Sequence, residues 1–347
     1  MNRENALFRH PKVAPEDVAK THEVRRVEVI HDPSASFGLP VLAAMSTAMP
    51  TAGVPHRCFQ PEPLALFALP PKLEGPRLHV SVQHLEWEVD PLEWLRWLAV
   101  NDGWRVAMVR THPSPFGPRY ELGTLREVGG VAVVRRTMAM RSGTRLVRCD
   151  ASTPLPMWSQ WHDALWWSLE GFLLGQVSAG TVEELVVHEG PLAGFGLPGS
   201  WEARLRVSED GGAVWMARIL RDAQRGAALK VKAQRLDCAP SAEQRRAALW
   251  REIREAGARL GAELEAERAE FASLVPGWVG QWQAGQRGER GDGVVVLVQR
   301  ESQGVAIDYI LAAPAAGTEH LDWMRATRAL DVAIATTDLR GAEAEVA

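Results

Sequence analysis

The feature that most constrains the fold of this 347-residue chain is a repeated order of predicted elements. In the first copy, a strand at 78–87 is followed by a helix at 90–100, a hairpin around 131–134 and a helix at 157–172. In the second copy, a strand at 227–236 is followed by a helix at 241–274, hairpin strands at 294–299 and 305–311, and a helix at 318–334. Matching elements lie roughly 150 to 160 residues apart, a period typical of a domain rather than a solenoid repeat. We therefore predict a duplicated α+β domain.

The limits of the two copies follow from composition. Residues 1–25 are polar, contain Pro11 and Pro15, and show no periodicity, which predicts a flexible N-terminal arm. The glycines between 175 and 180 mark a boundary. We predict a first α+β unit at 26–178, a second at 179–340, and a flexible tail at 341–347.

Local signals place two helix starts. Asp90 followed by Pro91 is typical of a helix N-terminus, with Asp as the cap. Ser241 with Gln244 forms a capping box. Apolar residues then recur at helical spacing as far as Leu264, which predicts one long amphipathic helix.

Composition and charge argue against several classes of protein. Apolar residues make up 46% of the chain and charged residues 24%, and the net charge is −4, so we expect no nucleic-acid partner. No stretch is apolar for long enough to span a membrane, and the N-terminus lacks the apolar core of a signal peptide, so we expect a cytoplasmic protein without membrane insertion. Cys58, Cys149 and Cys238 are isolated and predict neither disulfides nor metal ligation.

Motifs that carry catalysis or bind cofactors are absent from the sequence. It contains no Gly-x-Ser-x-Gly elbow, no phosphate-binding Gly-x-x-x-x-Gly-Lys loop and no His-Glu-x-x-His helix. His79 and His84 are five residues apart on a predicted strand and should face opposite sides. We interpret His162, next to Asp163, as a residue of the helix surface. We therefore predict no catalytic residues, no cofactor and no metal.

The chain is unusually rich in tryptophan, with 14 Trp against 2 Tyr. Trp94 and Trp97 lie three residues apart on one predicted helix, and Trp158 and Trp161 repeat that spacing at the start of another. Because one domain can hardly bury all the Trp side chains of this region, we expect some to be exposed. We predict that Trp94, Trp97, Trp158 and Trp161 form a partner-binding surface beside a shallow apolar groove.

One loop and the order of elements after it carry a family resemblance. Phe195-Gly-Leu-Pro-Gly-Ser-Trp201 precedes a Gly-turn hairpin, a strand, a charged helix, further strands and a last helix. This arrangement resembles the PsbP-like and DcrB-like α/β/α domains, a group that includes the Eag-type effector chaperones of type VI secretion. In the first unit, the nearest counterpart of the loop is Phe67-Ala-Leu-Pro-Pro71. The resemblance implies two tandem α/β/α sandwich units with largely antiparallel sheets, and binding of another protein rather than catalysis.

Three functions fit these observations. The first is a non-catalytic cytoplasmic protein-binding module, such as a secretion chaperone or adaptor whose partner is a secreted effector. The second is an enzyme or small-ligand-binding protein with a pocket between the two units. The third is a structural subunit that uses the same surface to form a homo-oligomer.

Overall fold

The computed structural model describes residues 7–11, 14–29, 32–49, 61–69, 75–178, 180–209, 211–219, 226–259, 262–270, 278–288, 292–315 and 319–340. The chain divides into two compact units. The first comprises Met1–Glu86 and Asp90–Val182, and the second comprises Trp87–Val89 and Glu183–Ala347. The predicted flexible tail at 341–347 and Cys58 lie outside the described residues.

Within the described residues, the first unit has two sheets and several α-helices. The helices are α1 (Pro15–Val18), α2 (Pro91–Asn101) and α3 (Leu155–Glu170), and a 3₁₀ turn spans Pro33–Ala35. The strands are β1 (His22–Val27), β2 (Phe37–Leu42), β3 (Ser46–Ala48), β4 (Glu62–Ala68), β5 (Arg77–His84), β6 (Arg105–His112), β7 (Arg119–Val128), β8 (Val131–Ser142), β9 (Arg145–Pro154) and β10 (Leu173–Leu174). Seven strands form one sheet in the order β3-β4-β5-β9-β8-β7-β6, and β1-β2-β10 form a small one.

The second unit repeats this arrangement. Its helices are α4 (Ala242–Arg259) and α5 (His320–Thr336). Its strands are β11 (Leu185–Glu189), β12 (Ala193–Pro198), β13 (Trp201–Val207), β14 (Ala213–Ile219), β15 (Ala228–Arg235), β16 (Ala262–Glu270), β17 (Trp278–Gly288), β18 (Gly293–Ser302), β19 (Val305–Pro314) and β20 (Asp338–Leu339). The sheet orders are β13-β14-β15-β19-β18-β17-β16 and β11-β12-β20, the same as in the first unit. The predicted fold class, two tandem α+β units with antiparallel sheets, is confirmed.

Side chains of β5 point alternately to the two faces of the large sheet in the first unit, and their contacts show which helix covers each face. Val82 belongs to the apolar core that also contains Trp158 of α3. The next residue, Gln83, accepts a hydrogen bond of 3.0 Å from the indole N–H of Trp94 in α2. Because neighbouring residues of a strand point to opposite faces, α2 and α3 cover opposite faces of the sheet. The second unit also has an apolar core on each side of its large sheet.

The small sheets show where the sequence repeat begins. Phe37-Gly-Leu-Pro40 in β2 and Phe195-Gly-Leu-Pro198 in β12 have the same four residues and the same place in their sheets. The counterpart predicted in the first unit, Phe67-Ala-Leu-Pro-Pro71, is wrong, because Phe67 belongs to β4 of the large sheet. The matching motif lies farther upstream, in a stretch whose many prolines obscured its strand character.

The helix starts are confirmed, and one helix end is corrected. The Asp90 carboxylate accepts hydrogen bonds of 2.9 Å from the N–H groups of Leu92 and Glu93. Ser241 and Gln244 form the reciprocal bonds of a capping box. The helix predicted to run to 274 ends at Arg259, and 262–270 form strand β16 instead. The run Ala262-Glu-Leu-Glu-Ala266 alternates with a period of two, which fits a strand, and this signal outweighs the helical spacing of Leu264. No helix among the described residues meets the length and hydrophobicity that crossing a bilayer requires.

Candidate peptide-binding site

A short N-terminal segment, Leu7 to His10, lies against α3 and the large sheet of the first unit. The Phe8 side chain is fully buried, at 0% exposure, and its ring contacts the Trp158 ring edge-on, with centroids 6.0 Å apart. Gly123 in β7 makes room for it, because a Cβ atom there would lie 2.7 Å from the Phe8 ring. The loosely held arm expected for 1–25 therefore differs from the structure at Phe8, where burial of an aromatic ring outweighs the polar composition around it.

Three side chains donate hydrogen bonds to successive carbonyl groups of this segment. Trp158 Nε1 donates to the Leu7 oxygen over 2.7 Å. Arg110 Nη1 donates to the Phe8 oxygen over 3.0 Å, and Arg136 Nη1 donates to the Arg9 oxygen over 3.2 Å. Every peptide has main-chain carbonyl groups. Hydrogen bonds from these donors therefore depend on the backbone conformation of the segment and not on its amino-acid sequence. The pocket that encloses Phe8, by contrast, contacts a particular side chain.

A buried carboxylate lies beside the two arginine donors. Glu121, fully buried in β7, accepts a short hydrogen bond from Arg136 Nε and contacts His112 Nε2 at 2.6 Å. Arg110 lies 3.9 Å from the same carboxylate. The Arg136 guanidinium also stacks on the Trp166 ring, 3.7 Å from its centroid. Burial lowers the pKa of Arg136 to about 10 although Glu121 opposes the shift, so the group stays cationic at neutral pH.

His162 also contacts Arg136, and it is buried rather than on the helix surface as predicted. The sequence interpretation placed it on the helix surface, but its side chain is only 4% exposed. Nδ1 lies 2.6 Å from Asp163 Oδ1, and Nε2 lies 3.3 Å from Arg136 Nη1. Burial lowers the pKa of His162, although the bond to Asp163 opposes the shift. The ring is therefore neutral at neutral pH, with Nε2 accepting from Arg136 and Nδ1 donating to Asp163.

The four Trp residues predicted as a partner-binding surface do not form one surface. Trp94 and Trp158 are buried, at 1% and 3% exposure, and each indole N–H donates to an internal acceptor. Trp97 packs on Trp94 with ring centroids 5.0 Å apart, and the half-buried Trp161 packs against the core beside α3. The pairs 94/97 and 158/161 lie on opposite faces of the sheet. Among them, Trp158 contacts the bound segment.

Sequence reasoning missed Phe8, Arg110, Glu121 and Arg136. The available signal was in β7 and β8, where Glu121 and Arg136 occupy positions on the same face as the apolar Met138. A charged residue at a core-facing position of a strand indicates a buried ion pair or a polar site.

A second buried polar cluster lies on the opposite face of the same sheet. Asp150 accepts a hydrogen bond of 2.5 Å from Thr137, and Arg148 Nε lies 3.3 Å from the Asp150 carboxylate and 3.0 Å from Ser81 Oγ. Burial alone would raise the pKa of Asp150, but Arg148 and Arg135 together with the Thr137 bond lower it. The charges are thus paired internally, as in a structural ion network.

The first unit also has an open cleft of about 770 Å³ beside its small sheet. Exposed Val24 and Leu173 line it, and its charged lining residues are Arg26 and Glu28. Such a lining offers apolar contact rather than acid–base chemistry. No three His, Cys, Asp or Glu side chains converge into a possible metal site anywhere in the part of the chain that the structure describes.

No protein-family description matches this chain, and no curated protein matches it. Several solved structures are similar to it. The cyanobacterial PsbP protein CyanoP from Synechocystis sp. PCC 6803 has 11% sequence identity, with 44% of this chain and 92% of CyanoP covered and a TM-score of 0.34. LpqN of Mycobacterium tuberculosis, involved in cell envelope biogenesis, has 14% identity, coverage of 47% and 98%, and a TM-score of 0.32. The type VI secretion immunity protein TplEi of Pseudomonas aeruginosa has 11% identity, coverage of 93% and 99%, and a TM-score of 0.24.

Proposed function

We propose that this chain is a non-catalytic protein-binding module whose first unit holds a short peptide segment between α3 and the large sheet. The observation that supports this function is the triad of donors Trp158, Arg110 and Arg136, which bind three successive carbonyls while the pocket encloses Phe8. The chain's own Leu7–Arg9 occupies this groove, and we expect a partner segment to bind in the same way.

A partner segment that binds here needs one bulky apolar residue for the Phe8 pocket and three accessible carbonyls. Glu121 orients the two arginine donors, and Trp166 also supports Arg136, so these side chains need little ordering when the segment binds. The chain's own segment is tethered and therefore present at high effective concentration. A partner must compete with it, which makes the groove selective for segments that bind well.

The narrower form of this proposal is a secretion chaperone or adaptor with a secreted effector as its partner. It is supported by the resemblance of the 195–201 loop and of the following elements to PsbP-like and DcrB-like domains. In that role, the groove in the first unit would hold a segment of the effector.

The test uses the full chain with Phe8→Asp, which places a carboxylate where the structure has a buried ring. The internal segment should leave the groove, and the melting temperature should fall, because a buried charge without a partner is costly. A synthetic peptide of residues 1–11 should then bind to the variant and raise its melting temperature. At a peptide concentration of about 100 times Kd, ligand linkage would restore about 2.7 kcal/mol.

The matched control is the same peptide with Asp in place of its Phe, which should neither bind nor stabilise. The parent chain should bind the natural peptide more weakly than the variant does, because its groove is filled. If the natural and the altered peptide bind the Phe8→Asp chain equally, the groove is not a peptide site and the proposal is wrong.

A further inference from the structure

Strand β13 forms an edge of the large sheet in the second unit. It pairs with β14 along Trp201–Val207, and within the described residues no other strand lies beside it. Its outer N–H and C=O groups therefore face away from the sheet. An open edge of this length is a template for another strand, and proteins commonly block such edges.

Three arginines cluster on one face of this edge. Arg204 and Arg206 in β13 and Arg218 in β14 line a cleft of about 300 Å³, together with Glu202 and Met216. All three arginines are exposed, and none forms an ion pair with any other residue in the described ranges. By contrast, the buried Arg136 and Arg245 are each paired with a carboxylate.

The same face remains basic in the next strand. Lys230 lies opposite Met216, and Lys232 lies opposite Val214. Lys230 pairs with Glu252, and among the described residues that line the cleft Glu202 is the one acidic side chain. The chain as a whole has a net charge of −4, whereas this face of the sheet is positively charged.

The other face of the edge strand is apolar. Leu205 and Val207 alternate with the arginines and are 39% and 57% exposed. The edge therefore presents two different faces, one cationic and one apolar, along a single free backbone. A strand with acidic residues on one face and apolar residues on the other is complementary to it in charge, polarity and hydrogen bonding.

We propose that β13 is a docking edge to which an acidic, alternating strand of a partner protein adds by main-chain pairing. Guanidinium groups of Arg204, Arg206 and Arg218 bind the carboxylates of that strand, and Leu205 and Val207 pack against its apolar side chains. This site belongs to the second unit and does not depend on the groove that holds Phe8. A nucleic acid would use the arginines but neither the free backbone edge nor the apolar face.

The probe is a fluorescent peptide, Asp-Val-Glu-Leu-Glu-Val-Asp, titrated into the full chain at low salt. Replacing Arg204→Glu and Arg206→Glu together should weaken binding at least about tenfold, because two attractive charges become repulsive. Arg251→Glu, an exposed arginine of α4 in the same unit, should leave binding unchanged. Arg218→Gln removes one charge from the same cleft and should also weaken peptide binding. This single variant replaces the double variant in the test if the double variant fails to fold.

Backbone pairing is tested separately. The same peptide with N-methyl groups on alternate residues should bind weakly if its N–H groups donate to β13. The proposal is overturned if the parent and the Arg204→Glu/Arg206→Glu chain bind the peptide equally, or if N-methylation has no effect. It is also overturned if a single-stranded oligonucleotide binds this cleft more tightly than the acidic peptide does. None of these results involves the peptide of residues 1–11, so a failure here leaves the groove unaffected.

Discussion

At the scale of single residues, the first unit depends on charged side chains placed inside. Glu121 and Arg136 are both buried and form an ion pair, and Arg136 also donates to the Arg9 carbonyl. The sequence did not predict this pair, because the pattern in this region predicted only a hairpin around 131–134. Pairing between strands depends on register, and register is not visible in one sequence.

His162 makes the stability of the first unit depend on pH. Burial lowers its pKa from the ordinary value of 6.5, so the folded state favours the neutral ring. Its contribution is therefore fully present above about pH 6.5 and is lost as pH falls through the lower folded-state pKa. We expect urea midpoints to fall between about pH 7.5 and about pH 5, and to fall less in His162→Gln. An equal fall in the parent and the variant would show that His162 does not contribute to the pH dependence.

Among the secondary-structure elements, the helix starts could be predicted from the sequence, but the end of α4 could not. Asp90, Ser241 and Gln244 cap their helices as the sequence indicated. The error at α4 arose because Leu264 fits both a helical spacing and a strand alternation, and pairing with β17 selects the strand. Local patterns specify an element well when one period dominates, and poorly when two periods share the same residues.

The Asp90 carboxylate caps the N-terminus of α2 and should stabilise that helix. Asp90→Ala removes the acceptor for the N–H groups of Leu92 and Glu93, and we expect a loss of about 1 kcal/mol in the free energy of unfolding. Asp90→Asn keeps a side-chain acceptor and should lose less. Urea denaturation of the three chains measures this. Equal stability of the Ala variant and the parent would mean that the cap does not stabilise the helix.

At the scale of the whole molecule, the duplication was the most predictive feature. The two large sheets share one strand order, and the two small sheets share the motif Phe-Gly-Leu-Pro at 37–40 and 195–198. The bound segment at Leu7–His10 was not predictable, because a few residues without periodicity acquire their position only from the groove that receives them. The predicted Trp surface failed for a related reason, since helical spacing alone does not show which face of a sheet a helix covers.

We propose that the first unit is a peptide-binding module whose groove is filled by Phe8 and its neighbours. The indole N–H resonance of Trp158 reports this directly, because that group donates to the Leu7 carbonyl over 2.7 Å. In ¹H–¹⁵N spectra of the full chain, Phe8→Asp should shift this resonance, and adding the peptide of residues 1–11 should return it to the parent position. Gly123→Ala should disturb it as well, since the added Cβ would meet the Phe8 ring, whereas Gly38→Ala, with nothing within 4 Å of the added atom, should not. A Trp158 resonance that is the same in the parent and the Phe8→Asp chain, or that does not respond to the peptide, would contradict the claim.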